Sequence, residues 1–372
     1  MSAKKDSGLT DVRTITSEEA RELLTVTAVK RKRPVFLWGP MGIGKSELVA
    51  SIAESLNAPV IDMRMALLDP TDLRGIGFYN PATNTMDWAS PVDLPSAEFA
   101  AQYEHIILFL DEMNSAPPAV QAAAYQLILN RRIGQYKLPD NVSIIAAGNR
   151  ETDKGVTYRM PAPLANRFVH FEMRVDFDSW LNWAVTHNVH SDVVGYLSDH
   201  KVDLFDFSPT SSSRAFATPR SWTFVSEILR EPLGEKQVMD VLSGTVGEGI
   251  AAKFNGHRKW SGQLPKASDI LDGKEKDKLK VSEISAQYTL IINLCYELKE
   301  RFDQIGKTQS KKWHENADNM FRYMMDNLGT ELIIMGARTA VLTYRLPLVY
   351  KQLATWEEFH KRFGKYITQA AE

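Results

Sequence analysis

The first half of the chain is punctuated by short, mostly apolar runs at residues 35–38, 59–63, 106–110, 142–147 and 169–173, each followed by glycine or a charged residue. Runs this short predict strands, and the continuous apolar character of 35–38, 106–110 and 142–147 predicts that those are buried. Helical stretches fall between them. Thr16 with Glu19 fits a capping box and opens a helix through about residue 30. A second helix is expected from Lys45 to about Leu56, and a third opens at Ser115 with Pro117 and runs to about Leu129. Strands alternating with helices predict an α/β fold with a parallel sheet covered on both faces. Residues 69–95 are rich in Gly, Pro, Asn and Asp and predict turns or a hairpin, and residues 133–138 a short hairpin strand.

After about residue 177 the pattern becomes helical, with Trp180, Trp183 and residues 193–197 on apolar faces. Residues 208–220 form a Ser, Thr and Pro loop. Residues 265–280 are rich in Lys and Asp and are expected to be an exposed linker. Residues 283–304, 311–328 and 330–352 predict further helices. The expected organisation is a flexible N-terminus over 1–15, an α/β core over 16–176, a helical domain over 177–265 and a C-terminal helical extension over 266–372. Neither repeats nor coiled-coil heptads occur.

Composition narrows this little. The chain has 372 residues, 44% hydrophobic and 24% charged, with a formal net charge of -2. These values suit a globular chain with a sizeable core, with no overall attraction to nucleic acid or anionic membrane. The basic run Lys30, Arg31, Lys32, Arg33 ends a predicted helix, where cations suit the macrodipole, and it reads as a solvated helix end in preference to a nucleic-acid patch. The single cysteine, Cys295, excludes an internal disulfide and a cysteine-rich zinc site, and its apolar setting predicts a packed thiol. His187 and His190 could share a helix face, but no acidic ligand pattern accompanies them, so no metal site is expected there. The opening Met-Ser-Ala-Lys-Lys-Asp is followed by no signal-peptide core, and no apolar run is long enough to span a bilayer. A cytoplasmic protein without a membrane span is expected.

The chemistry gathers where the apolar runs end. Gly39-Pro40-Met41-Gly42-Ile43-Gly44-Lys45-Ser46 lies between a predicted strand and a predicted helix. Glycines let backbone N–H groups converge on phosphates, a lysine reaches the outer phosphates, and a serine hydroxyl is a magnesium ligand. The helix that follows points its positive end at the anion. The run 106–110 ends at Asp111-Glu112: a carboxylate at a strand tip can hold hydrated magnesium, and its neighbour can polarise an attacking water. Asn149 ends the run 142–148, where a neutral amide can bond the outer phosphate or the water. Arg167, just before the last strand, and Arg220, at a helix start in the second half, are candidates to neutralise charge developing on a transferred phosphoryl group. Each also fits an ordinary surface ion pair, and Arg150 and Arg159 compete with Arg167. The sequence lacks an Asn-Lys-x-Asp guanine-reading motif.

These elements, in this order, resemble the AAA+ ATPases, and within them the MoxR-like or dynein-related branch. Residues 68–75, Leu-Asp-Pro-Thr-Asp-Leu-Arg-Gly, are similar to the signature ahead of that branch's helix-2 insert. Asp111-Glu112-Met113-Asn114-Ser115-Ala116-Pro117-Pro118 resembles its Walker B segment, Ala147-Gly148-Asn149 its sensor 1, residues 158–168 the segment with the arginine finger, and Thr218-Pro219-Arg220 its sensor 2. The resemblance covers roughly residues 16–225. It implies a P-loop NTPase core with a helical lid, binding ATP and Mg2+, in a homo-oligomer that is usually a hexameric ring. Lys45, Ser46, Asp111, Glu112 and Asn149 would act in cis, Arg167 on the neighbour's phosphate in trans, and Arg220 would couple nucleotide state to the lid. The inserts near residues 75–92 and 131–141 would face the pore or a client. The branch is associated with chaperone-like remodelling of proteins, often with a von Willebrand factor A partner. Residues 206–210 only loosely resemble such a domain's metal loop, so that partner is expected to be a separate chain. A nucleic-acid motor, or the regulatory subunit of a restriction-type complex, is the alternative.

Overall fold

A computed structural model describes residues 13–153, 157–211, 213–275, 277–306 and 310–368. Of the expected flexible segment 1–15, residues 1–12 lie outside the described residues. The chain divides into two compact units, the first made of residues 1–176 with 208–210 and the second of residues 177–207 with 211–372.

Among the described residues the first unit holds ten strands: β1 (Thr14–Ile15), β2 (Val35–Trp38), β3 (Val60–Arg64), β4 (Ile76–Asn80), β5 (Thr85–Ala89), β6 (Ile106–Asp111), β7 (Arg132–Ile133), β8 (Tyr136–Lys137), β9 (Val142–Gly148) and β10 (Val169–Met173). Six of them form one sheet in the order β1-β10-β2-β9-β6-β3, with every neighbouring pair parallel. Its main helices are α1 (Ser17–Leu24), α2 (Lys45–Ser55), α3 (Pro70–Arg74) and α4 (Pro118–Asn130). Parallel strands cannot be joined by tight turns, so helices cross the faces and cover the sheet.

Side chains alternate across each strand. On one face Phe36, Leu108, Leu110, Ile144 and Ala146 pack with Val120, Ala124 and Leu127 of α4. On the other face Val35, Leu37, Ile107, Phe109 and Ile145 are buried, with α2 packed on β6 and β9. Each such large side chain contributes about 1.5–3 kcal/mol through its burial. With both faces of the central strands β2, β6 and β9 covered, these strands open to solvent mainly at their ends, and the polar residues of the site stand at one set of these ends.

Several expectations change in detail. The helix opened by the Thr16–Glu19 capping box is α-helical only to Leu24; Thr25–Lys30 continue as a π-helix. The basic run after it does not form one patch. Lys32, with a left-handed φ of 53°, turns its ammonium inward onto the Asn141 carbonyl (2.9 Å) and Ser143 Oγ (3.1 Å). Burial, followed by the charge of Arg131, lowers its pKa. The segment 69–95 folds as α3, capped by Asp69, followed by the antiparallel hairpin β4–β5.

Among its described residues the second unit has helices and no strand: α5 (Phe177–Thr186), α6 (Ser191–Asp199), α7 (Pro219–Ile228), α8 (Glu235–Val246), α9 (Glu248–Ser261), α10 (Ala267–Leu271), α11 (Ile284–Arg301), α12 (Ser310–Asn327), α13 (Thr330–Arg338) and α14 (Trp356–Thr368). Its core joins Leu290, Leu294 and Cys295 of α11 to Met320 and Met324 of α12 and Ile333 of α13. The expected linker 265–280 contains α10, whose Ile270 and Leu271 enter this core. Asn316 and Asn319 donate to the Leu271 carbonyl at 2.7 and 2.9 Å. Two apolar residues within a charged stretch sufficed to fix it. The helix expected over 330–352 ends early: a π segment at Thr339–Thr343 follows α13, and Pro347 lies beyond it. His187 and His190 do not share a helix, since His187 follows the end of α5 and His190 caps α6. Among the described residues no helix is long and apolar enough to cross a membrane.

Candidate functional site

Strand order determines what can meet here. β9 lies between β2 and β6, so three strand ends stand side by side. The loop Gly39–Ser46 leaves β2, Asn149 follows β9, and Asp111 closes β6. Residues separated by more than a hundred positions in the chain thus reach one place.

Gly44 is the N-cap of α2 in a left-handed conformation (φ 91°) and supplies no capping side chain. The first N–H groups of α2 are therefore left for an anion, at the positive end of the helix. Within the loop Pro40 and Ile43 are buried, while Met41 and Gly42 are half-buried. Lys45 is 9% exposed and its ammonium is drawn back onto the loop, donating to the Gly39 carbonyl (2.7 Å), the Pro40 carbonyl (2.9 Å) and Asn149 Oδ1 (3.2 Å). Ser46 Oγ donates to Asp111 Oδ2 at 3.0 Å. A hydroxyl and a carboxylate in direct contact at the foot of an anion-binding loop are a donor set suited to magnesium, which takes few protein oxygens and keeps water on its other positions.

The other Asp111 oxygen accepts from the Glu112 N–H at 2.8 Å, so both oxygens orient the carboxylate. Glu112 is exposed and left-handed (φ 54°, ψ 33°), a conformation uncommon for a residue other than glycine. That turn separates the direction of Glu112 from that of Asp111 and gives the two adjacent carboxylates different surroundings. On the neighbouring strand, Asp62 has its pKa raised by partial burial and by the Asp111 charge, an effect Arg64 partly offsets.

One residue here escaped the sequence reading. Asn114 is 1% exposed, and its amide grips the backbone of Asn149 from both sides. Its Nδ2 donates to the Asn149 carbonyl (2.7 Å) and its Oδ1 accepts from the Asn149 N–H (3.2 Å). Its own carbonyl accepts from the Tyr158 N–H at 2.7 Å. The grip requires Gly148, because a Cβ there would stand 2.2 Å from Asn114 Oδ1. Its signal in the sequence was a lone asparagine in the turn after Asp111-Glu112, which spacing alone does not distinguish from a surface residue.

The arginines divide. Arg150 makes a two-pronged bond to the buried Asp153 and lies 3.6 Å from Glu172, so its charge is committed within its own chain. Arg159 and Arg167 are exposed. Arg220 is exposed in the first turn of α7, in the second unit.

A parallel sheet with the loop strand and the Asp-Glu strand separated by a third, and a glycine-rich loop opening a helix, defines a P-loop ATPase domain of the AAA+ class. Residues 34–168 match the model of the AAA domain of the dynein-related subfamily. Midasin of Giardia intestinalis is 28% identical over 181 residues, which are 46% of this chain and 4% of midasin. The chain thus spans a small fraction of the length of that relative. Among solved structures, the chain is similar to a Cytophaga hutchinsonii protein described as an ATPase (12% identity, 96% of this chain and 90% of that one, TM-score 0.34). It is also similar to Thermotoga maritima RuvB (17% identity, 69% and 76%, TM-score 0.36) and to Brucella abortus NtrX with ADP (17% identity, 85% and 70%, TM-score 0.39). The fold assignment rests on the strand order above, not on these structural similarities.

Proposed function

We propose that this ATPase works with magnesium in a homo-oligomeric ring, at sites shared between neighbouring subunits, and that it remodels a protein partner in the manner of MoxR-like chaperones. The observation that supports the chemistry best is the meeting of Lys45 with Asn149 and of Ser46 with Asp111 at adjacent strand ends. In this reading the backbone N–H groups of residues 41–46 and the Lys45 ammonium hold the phosphates, and Ser46 and Asp111 hold the metal. When bound, magnesium neutralises phosphate charge. Lys45 exchanges its loop carbonyls for phosphate oxygens. Glu112 orients a water and takes its proton, and Asn149, held by Asn114, fixes the water or the outer phosphate. Arg167 serves the neighbouring subunit's phosphate in trans, and Arg220 links nucleotide state to the helical unit. A hexamer is the expected ring.

The choice of a protein client is supported by the β4–β5 hairpin. It exposes Phe78, Tyr79 and Met86, with Trp88 38% exposed, and residues 76–92 contain no lysine or arginine. An aromatic surface without cations offers nothing to a phosphate backbone and suits apolar side chains of a polypeptide. The partner is expected to carry a von Willebrand factor A domain on a separate chain. Glu112→Gln tests the chemistry: turnover should fall about a hundredfold or more while ATP binding persists. Undiminished turnover would remove Glu112 from its role, and turnover stimulated by DNA or RNA in place of protein would overturn the client.

A further inference from the structure

Trp38 is the last residue of β2, directly before Gly39 of the phosphate loop. Its indole Nε1 lies 2.9 Å from Nδ1 of His170 on β10. An indole nitrogen can only donate, so His170 Nδ1 must present a lone pair. His170 Nε2 lies 2.7 Å from the Ala165 carbonyl, which can only accept, so Nε2 must carry the hydrogen. The two neighbours together select one state of the ring, the neutral Nε2–H tautomer.

The far end of this link matters. The Ala165 carbonyl also accepts from the Phe168 N–H at 3.1 Å, closing the turn Ala165-Asn166-Arg167-Phe168. Arg167 is the third residue of that turn and is exposed. Phe168 is buried and meets Phe36 of β2 edge-on, with ring centroids 5.4 Å apart, so the turn is anchored at both ends on the strand that leads into the phosphate loop. The sheet order makes this feasible, since β10 lies directly beside β2.

We propose that His170 is a positioning residue that ties the turn presenting Arg167 to the root of the phosphate loop, so that the state of a subunit's own loop sets the arginine it offers its neighbour. The inference rests on reading Arg167 as the trans arginine. It assigns no contact with nucleotide to His170 itself.

Three substitutions in the full chain test it, each with steady-state ATPase, fluorescent ATP-analogue binding, and mass and melting controls. His170→Phe keeps the ring but neither accepts nor donates. Trp38→Phe removes only the indole donor and carries the same test if His170→Phe melts early. His170→Gln keeps one acceptor and one donor. Misplacing the arginine should lower kcat about tenfold to a hundredfold in His170→Phe while KM for ATP stays within about twofold. His170→Gln should recover most of the loss. On an Arg167→Ala background, His170→Phe should cost nothing more, because the two act as one unit. Wild-type kcat in both His170→Phe and Trp38→Phe would overturn the link. So would a glutamine variant as impaired as the phenylalanine one, or a fold-loss on the Arg167→Ala background equal to that on wild type. If Arg167→Ala itself turns over normally, the reading of the arginine fails and the link falls with it. If Arg167→Ala is impaired and His170→Phe is not, the link alone fails.

Discussion

Both units bury polar and charged side chains, yet they use them in opposite ways. In the sheet unit Lys45, Ser46, Asp111 and Asn149 bond one another at the open ends of strands, where a ligand can enter and replace those bonds. In the helical unit Asp203 is closed off by Tyr196 (2.5 Å) and Lys253 (3.2 Å), and His257 by Ser285 (2.8 Å) and Thr289 (3.2 Å), all within packed helices. The chemistry of the groups is similar; access separates them. A buried polar cluster is a candidate site only where the fold leaves one side for a ligand, and in α/β sheets that side is the row of carboxyl strand ends.

This contrast can be broken at graded strengths. The largest effect belongs to the open site. Arg167→Ala should reduce turnover by about a thousandfold, as should loss of any well-placed arginine facing a transferred phosphoryl group. Mixing Arg167→Ala subunits with Glu112→Gln subunits sharpens this into a test of trans action. Each variant is nearly inactive alone, but an Arg167→Ala subunit retains its own Glu112 and can receive Arg167 from its neighbour. Recovered ATPase activity on mixing is expected; a mixture no better than its components would put both residues in one subunit's site. An intermediate effect belongs to Asn114. Asn114→Ala frees the Asn149 backbone and should lower kcat about tenfold to a hundredfold, read in the same assay.

The smallest effect is on stability, not turnover, and belongs to the closed clusters. Burial, ahead of the neighbouring charges, pushes the His257 pKa down to about 4 from 6.5. The unfolded chain therefore binds a proton at higher pH than the folded one. The stabilising contribution is complete above pH 6.5 and is lost as pH falls from 6.5 toward 4, by on the order of 2 kcal/mol. Urea unfolding across that window should show the slope, and His257→Phe should flatten it.

What was legible in the sequence follows from how local each signal is. The loop 39–46, the Asp111-Glu112 pair and Asn149 each end a run of apolar residues, and a strand tip is visible in one short window. The strand order was not legible, because it depends on pairings such as Val35 with Ile145 and Val35 with Val169, more than a hundred residues away. The residues that position the site were hidden for the same reason. Asn114 bonds Asn149 and His170 bonds Trp38, partners brought near only by that order, and neither residue stands out by type or spacing. The short β1 lacks any pattern of its own and forms because β10 offers an open edge. In the helical unit the error ran the other way: charge along 265–280 masked Ile270 and Leu271, which decide where that segment packs.

The left-handed backbone at Glu112 sets evolution and design against each other at this position. An L side chain there costs about 1–2 kcal/mol that glycine would not. A screen for thermal resilience alone would thus favour glycine at position 112, and the improved protein would have lost the carboxylate proposed to activate the water. Stabilising this ATPase by consensus or computation should hold that residue fixed and seek its gains in the helical unit.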